Sequence, residues 1–199
     1  MLPVLRARSP HRLVEVVNVL ASAGVTAVEL TMTTPGALDV MSALRTKHGD
    51  AVLIGMGSVL SKAAAARAAD SGAQFLVSPV RVNGLADFAH AAGIPFVHGA
   101  LTPHELHRCD NDKPSLIKLF PASSVGPRYL AEVLAPMPQL SIMPSGGVTL
   151  AAIGEWRLAG AFVVSLGSSL LGDALDDGDL RALATRARGA LDTWNETRQ

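Results

Sequence analysis

The chain has 199 residues, of which 49% are hydrophobic and 17% charged, and its 17 lysines and arginines balance 17 aspartates and glutamates. This composition excludes a disordered chain, and the balanced charge leaves no basic field to hold nucleic acid or an anionic membrane. Cys109 is the single cysteine and no apolar run approaches the roughly 18 residues of a membrane span, so we predict a soluble, cytoplasmic protein with one domain over residues 1–199.

Short apolar runs alternate with longer amphipathic stretches along the whole chain. Runs bounded by Gly, Pro or Ser are typical of buried strands, and the stretches between them have helical spacing. Strands are predicted at residues 2–5, 27–30, 51–54, 74–77, 95–97, 115–120, 140–143 and 161–166. Helices are predicted at residues 11–23, 36–47, 61–71, 83–92, 103–108, 128–135, 150–158 and 180–198.

Local signals mark the ends of several of these helices. Ser9 and Thr102 each precede a proline, which predicts a capping hydroxyl followed by proline at the first helical position. A left-handed glycine after the last helical turn is expected at four places, which are Gly24, Gly72, Gly93 and Gly160.

Eight strand-then-helix units in a row predict a parallel sheet, because parallel strands need helical crossovers. Eight units close naturally into a (β/α)8 TIM barrel, and an open doubly wound sheet is the alternative. In such a barrel the active site lies at the carboxyl ends of the strands and in the loops that follow them. The polar residues at those positions are therefore the candidates for function.

One lysine lies within an apolar strand. Lys118 is the only one of four lysines to interrupt such a run, in residues 116–121. Desolvation lowers the pKa of a lysine, as a Schiff-base nucleophile requires at neutral pH. The alternative is an edge lysine whose ammonium reaches solvent.

Two further charged residues belong to strands. Glu29 lies among apolar neighbours in residues 27–31, where burial would raise its pKa and let it move protons. The alternative is a structural salt bridge to Lys118 or Arg6. Arg6 closes the first strand and could pair with a substrate carboxylate, or it could be a surface arginine.

Glycine-rich turns follow the seventh and eighth predicted strands. The first contains Ser145, Gly146 and Gly147, and the second contains Gly167 and Ser168. Loops at this position frequently bind phosphate through backbone N–H groups, so we expect a phosphorylated ligand there. By contrast, the spacing of the histidines at 98, 104 and 107 does not match a zinc site, and no metal is expected.

These residues belong to motifs that run in order along the whole chain. The chain resembles the 2-keto-3-deoxy-6-phosphogluconate (KDPG) aldolases, class I enzymes that share a family with the 4-hydroxy-2-oxoglutarate (KHG) aldolases. The most specific motif is Ile-Lys-Leu-Phe-Pro-Ala around Lys118, which resembles the family's Schiff-base lysine motif. The other similar segments are residues 28–31, 54–60, 75–79, 144–147 and 167–168.

The resemblance implies a role for each of these positions. Lys118 would attack the keto carbon, and Glu29 would move protons through a water; no metal or other cofactor would be required. Arg6 and Ser58 would hold the substrate carboxylate, and the pocket would be lined by Pro79, Phe120 and Thr31. The phosphate would be bound by Ser145, Gly146, Gly147, Gly167 and Ser168. The family is typically trimeric, so a homotrimer is expected.

The sequence departs from the family pattern in several places. Thr33 stands where some relatives have an arginine, which leaves Arg6 as the carboxylate anchor. His98 precedes Gly99 where many relatives have Pro-Gly, and it could contact the substrate. The usual N-terminal helix before the first strand is missing.

The leading hypothesis is cleavage of KDPG to pyruvate and glyceraldehyde 3-phosphate. The same chemistry could act on the galactonate epimer or on 4-hydroxy-2-oxoglutarate. Two other classes are a phosphate-binding barrel without activity and a metal-dependent lyase or isomerase. A pure binding protein has no use for two buried charges, and a metal site would need a cluster of ligands that the sequence does not show.

Overall fold

In the computed structural model, which describes residues 1–197, eight parallel strands form one sheet with the order β7-β6-β5-β4-β3-β2-β1-β8. The sheet nearly closes, because the Phe162 N–H donates to the Ile142 carbonyl and so connects its two edges. The predicted (β/α)8 barrel is confirmed. The strands are β1 Leu2–Leu5, β2 Ala27–Thr31, β3 Leu53–Gly57, β4 Leu76–Val77, β5 Phe96–Ala100, β6 Leu116–Leu119, β7 Ile142–Pro144 and β8 Ser165–Leu166.

Helices follow the strands around the outside of the barrel. Within residues 1–197 they are α1 Leu13–Ser22, α2 Ala37–His48, α3 Lys62–Asp70, α4 Leu85–Ala92, α5 Pro103–Asp110, α6 Pro127–Leu134, α7 Ile153–Leu158, α8 Ser168–Leu171 and α9 Leu180–Glu196. Short 3-10 turns at Ala122–Ser124 and Leu150–Ala152 precede α6 and α7. None of the helices in this part of the chain combines the length and hydrophobicity that crossing a membrane would require.

The predicted elements all exist, with different limits. The strands β3 and β5 extend to Gly57 and Ala100, beyond the predicted ends. The helix α8 was not predicted, since four residues are too few to show a helical period. Residue 198, the predicted end of the last helix, lies outside the described residues.

Side chains of each strand alternate between the barrel interior and the layer under the helices. An inner cluster of Leu2, Val77, Val97 and Met143 fills the interior toward the amino ends of the strands. The larger cluster lies between the strands and the helices. Apolar side chains therefore close one end of the barrel, and the next inward-facing positions along each strand are left to form a site.

Of the two predicted N-caps, the structure contains the one at Thr102 and not the one at Ser9. The Thr102 hydroxyl accepts a hydrogen bond from the Glu105 N–H, and the Glu105 carboxylate accepts one from the Thr102 N–H, which is a complete capping box. The capping prediction for Ser9 is wrong, because α1 begins only at Leu13 and the Ser9 hydroxyl contacts His11 instead. The four predicted left-handed glycines, Gly24, Gly72, Gly93 and Gly160, all have positive φ.

We expect Thr102→Ala to lower the free energy of unfolding by about 1 kcal/mol, because the first turn of α5 loses its cap. Ser9→Ala is the matched control and should change it by less than about 0.5 kcal/mol. Urea titration of both variants checks this. Equal losses in the two variants would contradict the capping interpretation.

Candidate active site

Two ionisable side chains face each other inside the barrel. Lys118 on β6 is 6% exposed, Glu29 on β2 is 1% exposed, and Lys118 Nζ lies 3.8 Å from Glu29 Oε1. Each comes two residues after an inner-face residue of its strand, Leu116 or Ala27, so the strand alternation directs both into the barrel. The structure thus brings together the predicted nucleophile and the predicted proton carrier.

Glu29 is held where its proton affinity is high. Burial raises the pKa of this carboxyl above its ordinary value of 4.5, while the charges of Lys118 and Arg6 oppose the rise. Its Oε2 atom is buried and has no hydrogen-bond partner among residues 1–197. That oxygen is therefore available to a proton or a hydroxyl group of a bound molecule.

One glycine makes the room that Glu29 needs, and a second admits the chain after β4. A Cβ at Gly57 would lie 1.8 Å from Glu29 Oε1, so no side chain is possible there without displacing the carboxylate. On β5, a Cβ at Gly99 would lie 2.0 Å from the Pro79 carbonyl carbon, because the chain after β4 crosses directly over this glycine. Sequence reasoning treated the glycines of β3 as part of a motif and missed this steric role.

A possible carboxylate anchor lies beside Glu29. Arg6 follows β1 and Ser58 follows β3, one on each side of β2, and Arg6 Nη2 donates to Ser58 Oγ over 3.4 Å. Ser58 has a φ of 59°, which is rare for a residue with a side chain. The Arg6 guanidinium is exposed, so it can pair with an incoming anion.

A set of threonine hydroxyls holds the ends of β1 and β2 together. Thr31 is fully buried, and its hydroxyl lies 3.1 Å from that of Thr34 and 3.5 Å from the Leu5 carbonyl. The Thr34 hydroxyl also accepts a hydrogen bond from the N–H of Ala7, directly after Arg6. The observed contacts of Thr31 are with the protein, and its predicted place in the substrate pocket stays a prediction.

Phe120 forms a wall beside the lysine. Lys118 Nζ lies 5.4 Å from the centroid of the Phe120 ring. A Cβ at Gly146 would come within 2.8 Å of the same ring, so the first glycine loop packs directly on it. Phe120 and Pro79 both line a cavity of about 400 Å³, and their predicted place in the substrate pocket stays a prediction.

The two glycine-rich loops lie together. Gly146 and Gly147 have φ of 84° and 75°, and the Ser169 hydroxyl donates to the Val148 carbonyl, which connects the loop after β7 to the start of α8. Within residues 1–197 the backbone N–H groups of Gly146 and Gly147 donate to no other backbone group. These free donors suit an oxyanion.

Not every predicted phosphate ligand is equally free. Gly167 precedes α8 and Ser168 is the first residue of this helix, so both lie beside the loop after β7. The Ser145 hydroxyl is different, because it is buried and donates to Ser165 Oγ at 3.1 Å. The Ser145 hydroxyl is therefore already used in a contact within the protein.

His98 and Cys109 lie outside this site. His98 faces the helix layer with Phe96, is fully buried, and has Nε2 3.2 Å from Asp112 Oδ2, though not aligned for a hydrogen bond. The suggestion that His98 contacts substrate is therefore wrong. Burial raises the pKa of the Cys109 thiol to about 11, which makes it unreactive. No three His, Cys, Asp or Glu residues in the described chain are arranged to hold a metal ion.

Comparison with known proteins finds relatives over most of the chain. The family model described as KDPG and KHG aldolase matches residues 1–185. A probable 2-dehydro-3-deoxy-6-phosphogalactonate aldolase of Rhizobium meliloti (strain 1021) is 30% identical over 193 residues, covering 96% of this chain and 91% of the relative. The KHG/KDPG aldolase of Escherichia coli (strain K12) is 30% identical over 195 residues, also covering 96% of this chain and 91% of the relative.

A solved structure agrees with the sequence relatives. The structure described as native KDPGal has a TM-score of 0.91 and 26% identity, covering 98% of this chain and 94% of that chain. The family model, the relatives and the barrel fold all point to one group of enzymes. This chain therefore belongs to the KDPG and KHG aldolase family.

Proposed function

We propose that this aldolase works through a Schiff base on Lys118 and cleaves KDPG to pyruvate and glyceraldehyde 3-phosphate. The observation that carries the proposal is the pair of Lys118 and Glu29, buried inside the barrel with Nζ and Oε1 3.8 Å apart. A buried amine beside a carboxyl group that can exchange protons is the arrangement that imine chemistry needs.

The reaction begins at the amine of Lys118. The neutral amine adds to the C2 carbonyl of the keto acid, and the resulting carbinolamine loses water to give a protonated imine. Removal of the C4 hydroxyl proton then breaks the C3–C4 bond. Its electron pair moves into the imine to form an enamine, and the C4 fragment leaves as the aldehyde. Protonation of the enamine at C3 and hydrolysis release pyruvate and restore the lysine.

Glu29 carries the protons in this scheme. Its raised pKa and the unpartnered Oε2 let it take up a proton in one step and return it in the next. The protons move to the carbinolamine oxygen, from the C4 hydroxyl and to C3, and a bridging water extends the reach of the carboxyl group.

The remaining predicted residues hold the two ends of the substrate. Arg6 and Ser58 bind the C1 carboxylate, and Phe120 and Pro79 shape the wall of the pocket. The free N–H groups of the glycine loops bind the phosphate. We propose that no metal is required, because the protonated imine accepts the electron pair of the broken bond.

The sugar acid itself has two close alternatives. The relatives carry the names of phosphogluconate, phosphogalactonate and 4-hydroxy-2-oxoglutarate aldolases at about the same identity. The phosphate-binding character of the glycine loops favours a phosphorylated substrate over 4-hydroxy-2-oxoglutarate. Rates of cleavage of the three acids by the purified protein decide among them. We further propose that the protein is a cytoplasmic homotrimer. Measuring the molar mass of the protein in solution tests the trimer.

Borohydride reduction in the presence of pyruvate should attach pyruvate to Lys118, because reduction traps the imine. Mass spectrometry of the peptide that contains this lysine checks the result. Lys118→Met should abolish both the adduct and turnover, whereas Lys62→Met, at an exposed lysine on α3, should change neither. A folded wild-type protein without the adduct would overturn the Schiff-base mechanism and favour a binding barrel without activity.

Glu29→Gln should lower kcat by about 10²-fold or more, the scale of general acid–base catalysis, with little change in KM. The amide keeps the shape of the side chain but cannot gain or lose a proton as the carboxyl group does. Steady-state cleavage kinetics measure the effect, and Glu132→Gln on the exposed face of α6 is the control. An unchanged kcat would assign Glu29 a structural role only.

The stability of the fold should depend on pH through Glu29. Because its folded-state pKa is raised above 4.5, the folded chain binds this proton more tightly than the unfolded chain. The stability that protonated Glu29 contributes to the fold is complete below the unfolded-state pKa and is lost as pH rises through the folded-state pKa. Urea titrations at about pH 5 and about pH 8 should therefore show the wild type losing stability relative to Glu29→Gln. A wild type that gains stability over this range would contradict the raised pKa.

A further inference from the structure

A cavity beside the candidate active site shares Phe120 and Pro79 with the proposed substrate pocket, but its polar wall has no role in the mechanism proposed above. It has a volume of about 400 Å³ and lies between the loop after β4, the end of β5 and the helix α5. Its apolar wall includes Pro79, Phe120 and Leu101, and its polar wall includes Arg81, Asn83 and Arg108. It is large enough for a small organic anion with a short carbon chain.

The two arginines of the cavity are held differently. Arg81 is fixed by Asp112, with Nη2–Oδ1 and Nε–Oδ2 distances of 2.7 and 2.6 Å, so its orientation is set before anything binds. Arg108 on α5 is exposed and has no ion pair among the residues that the structure describes. Its guanidinium is therefore available to an anion.

The carboxylate of the cavity wall does not cancel this charge at Arg108. Glu105 accepts hydrogen bonds from the N–H groups of Leu101 and Thr102 and from the Thr102 hydroxyl. These bonds lower the pKa of Glu105 and commit the carboxylate to capping α5. The cavity thus combines an uncommitted cation with an apolar wall.

The cavity is one aromatic ring away from the reactive amine. Phe120 lines the cavity, lies 5.4 Å from Lys118 Nζ by its centroid, and packs against Gly146 of the glycine loop. Hydrogen-bond donors are therefore present on each side of this ring. Backbone N–H groups on one side suit a phosphate, and guanidinium groups on the other side form the planar fork that matches a carboxylate.

We propose that this arginine-lined cavity is a second anion subsite, which receives the carboxylate of carboxylated aldehydes and has Arg108 as its ligand. The inference rests on the proposed function, since it assigns a place to the aldehyde half of the substrate. The enzyme then binds phosphorylated aldehydes through the glycine loops. It binds aldehydes whose terminal carboxylate is two or more carbons from the aldehyde carbon through the arginine cavity.

Calorimetric titration of the full chain tests the subsite without requiring turnover. The probes are 4-hydroxybutyrate, an unreactive counterpart of succinic semialdehyde, and glycerol 3-phosphate, an unreactive counterpart of glyceraldehyde 3-phosphate. Arg108→Ala should weaken the binding of 4-hydroxybutyrate by about tenfold, as expected for a lost charge-assisted hydrogen bond, and leave glycerol 3-phosphate unchanged. Arg128→Ala, which removes the same charge from an exposed position on α6, should change neither.

Condensation kinetics provide the second readout. With pyruvate as the other substrate, Arg108→Ala should raise the KM for succinic semialdehyde by about tenfold and leave kcat and the KM for glyceraldehyde 3-phosphate unchanged. Arg108→Lys should recover part of the loss. The subsite would be overturned if the wild-type protein did not bind 4-hydroxybutyrate. It would also be overturned if Arg108→Ala and Arg128→Ala weakened the binding of both probes equally.

The two proposals fail in different ways. Loss of 4-hydroxybutyrate binding in Arg108→Ala supports the anion subsite even if pyruvate forms no adduct on Lys118, and the missing adduct then overturns only the aldolase mechanism. An adduct on Lys118 together with unchanged binding in Arg108→Ala overturns only the subsite.

Discussion

A lysine and a glutamate buried together inside a barrel set the main constraint on this structure. Removing charges from water is unfavourable by several kcal/mol for each ion, and a single contact between Lys118 and Glu29 at 3.8 Å offsets only part of that. The fold does not complete the compensation, because Glu29 Oε2 has no partner in the described chain. Burial instead raises the pKa of the carboxyl group. Strongly perturbed pKa values of this kind cluster at functional sites, which fits the proposed proton-transfer role of Glu29.

The rest of the barrel is arranged around this pair. Apolar side chains fill the interior toward the amino ends of the strands, so the two charges lie above a closed floor. Gly57 leaves space for the carboxylate, and Gly99 lets the chain after β4 cross the barrel. The threonine contacts of Thr31 and Thr34 fix the segment that carries Arg6 against the end of β2. The glycines and threonines thus position backbone and side-chain groups around the lysine, above the apolar floor.

The sequence allowed the barrel, the lysine and the glutamate to be predicted, because each depends on a local pattern. Strands and helices alternate with their own periods, and a charge within an apolar strand is visible in one line of sequence. The steric roles of Gly57 and Gly99 could not be predicted, since they depend on side chains that approach from other strands. Ser9 failed as a cap for a related reason: the chain after β1 turns before α1 begins, which no local signal indicates. The short α8 and the cavity at Arg108 likewise depend on how distant segments of the chain pack together.

The position of Phe120 connects the chemistry to the choice of substrate. Its ring contacts the region of the amine on one strand end, covers Gly146 on the next, and forms a wall of the cavity that contains Arg81 and Arg108. In the proposed reaction, the aldehyde half of the substrate leaves C3 along one side of this ring or the other. Because the two sides present different hydrogen-bond donors, the side taken by the departing fragment would decide which anion the proposed subsites recognise. In the proposed mechanism, specificity depends on the surfaces on either side of Phe120, while Lys118 and Glu29 perform the same bond cleavage for each substrate.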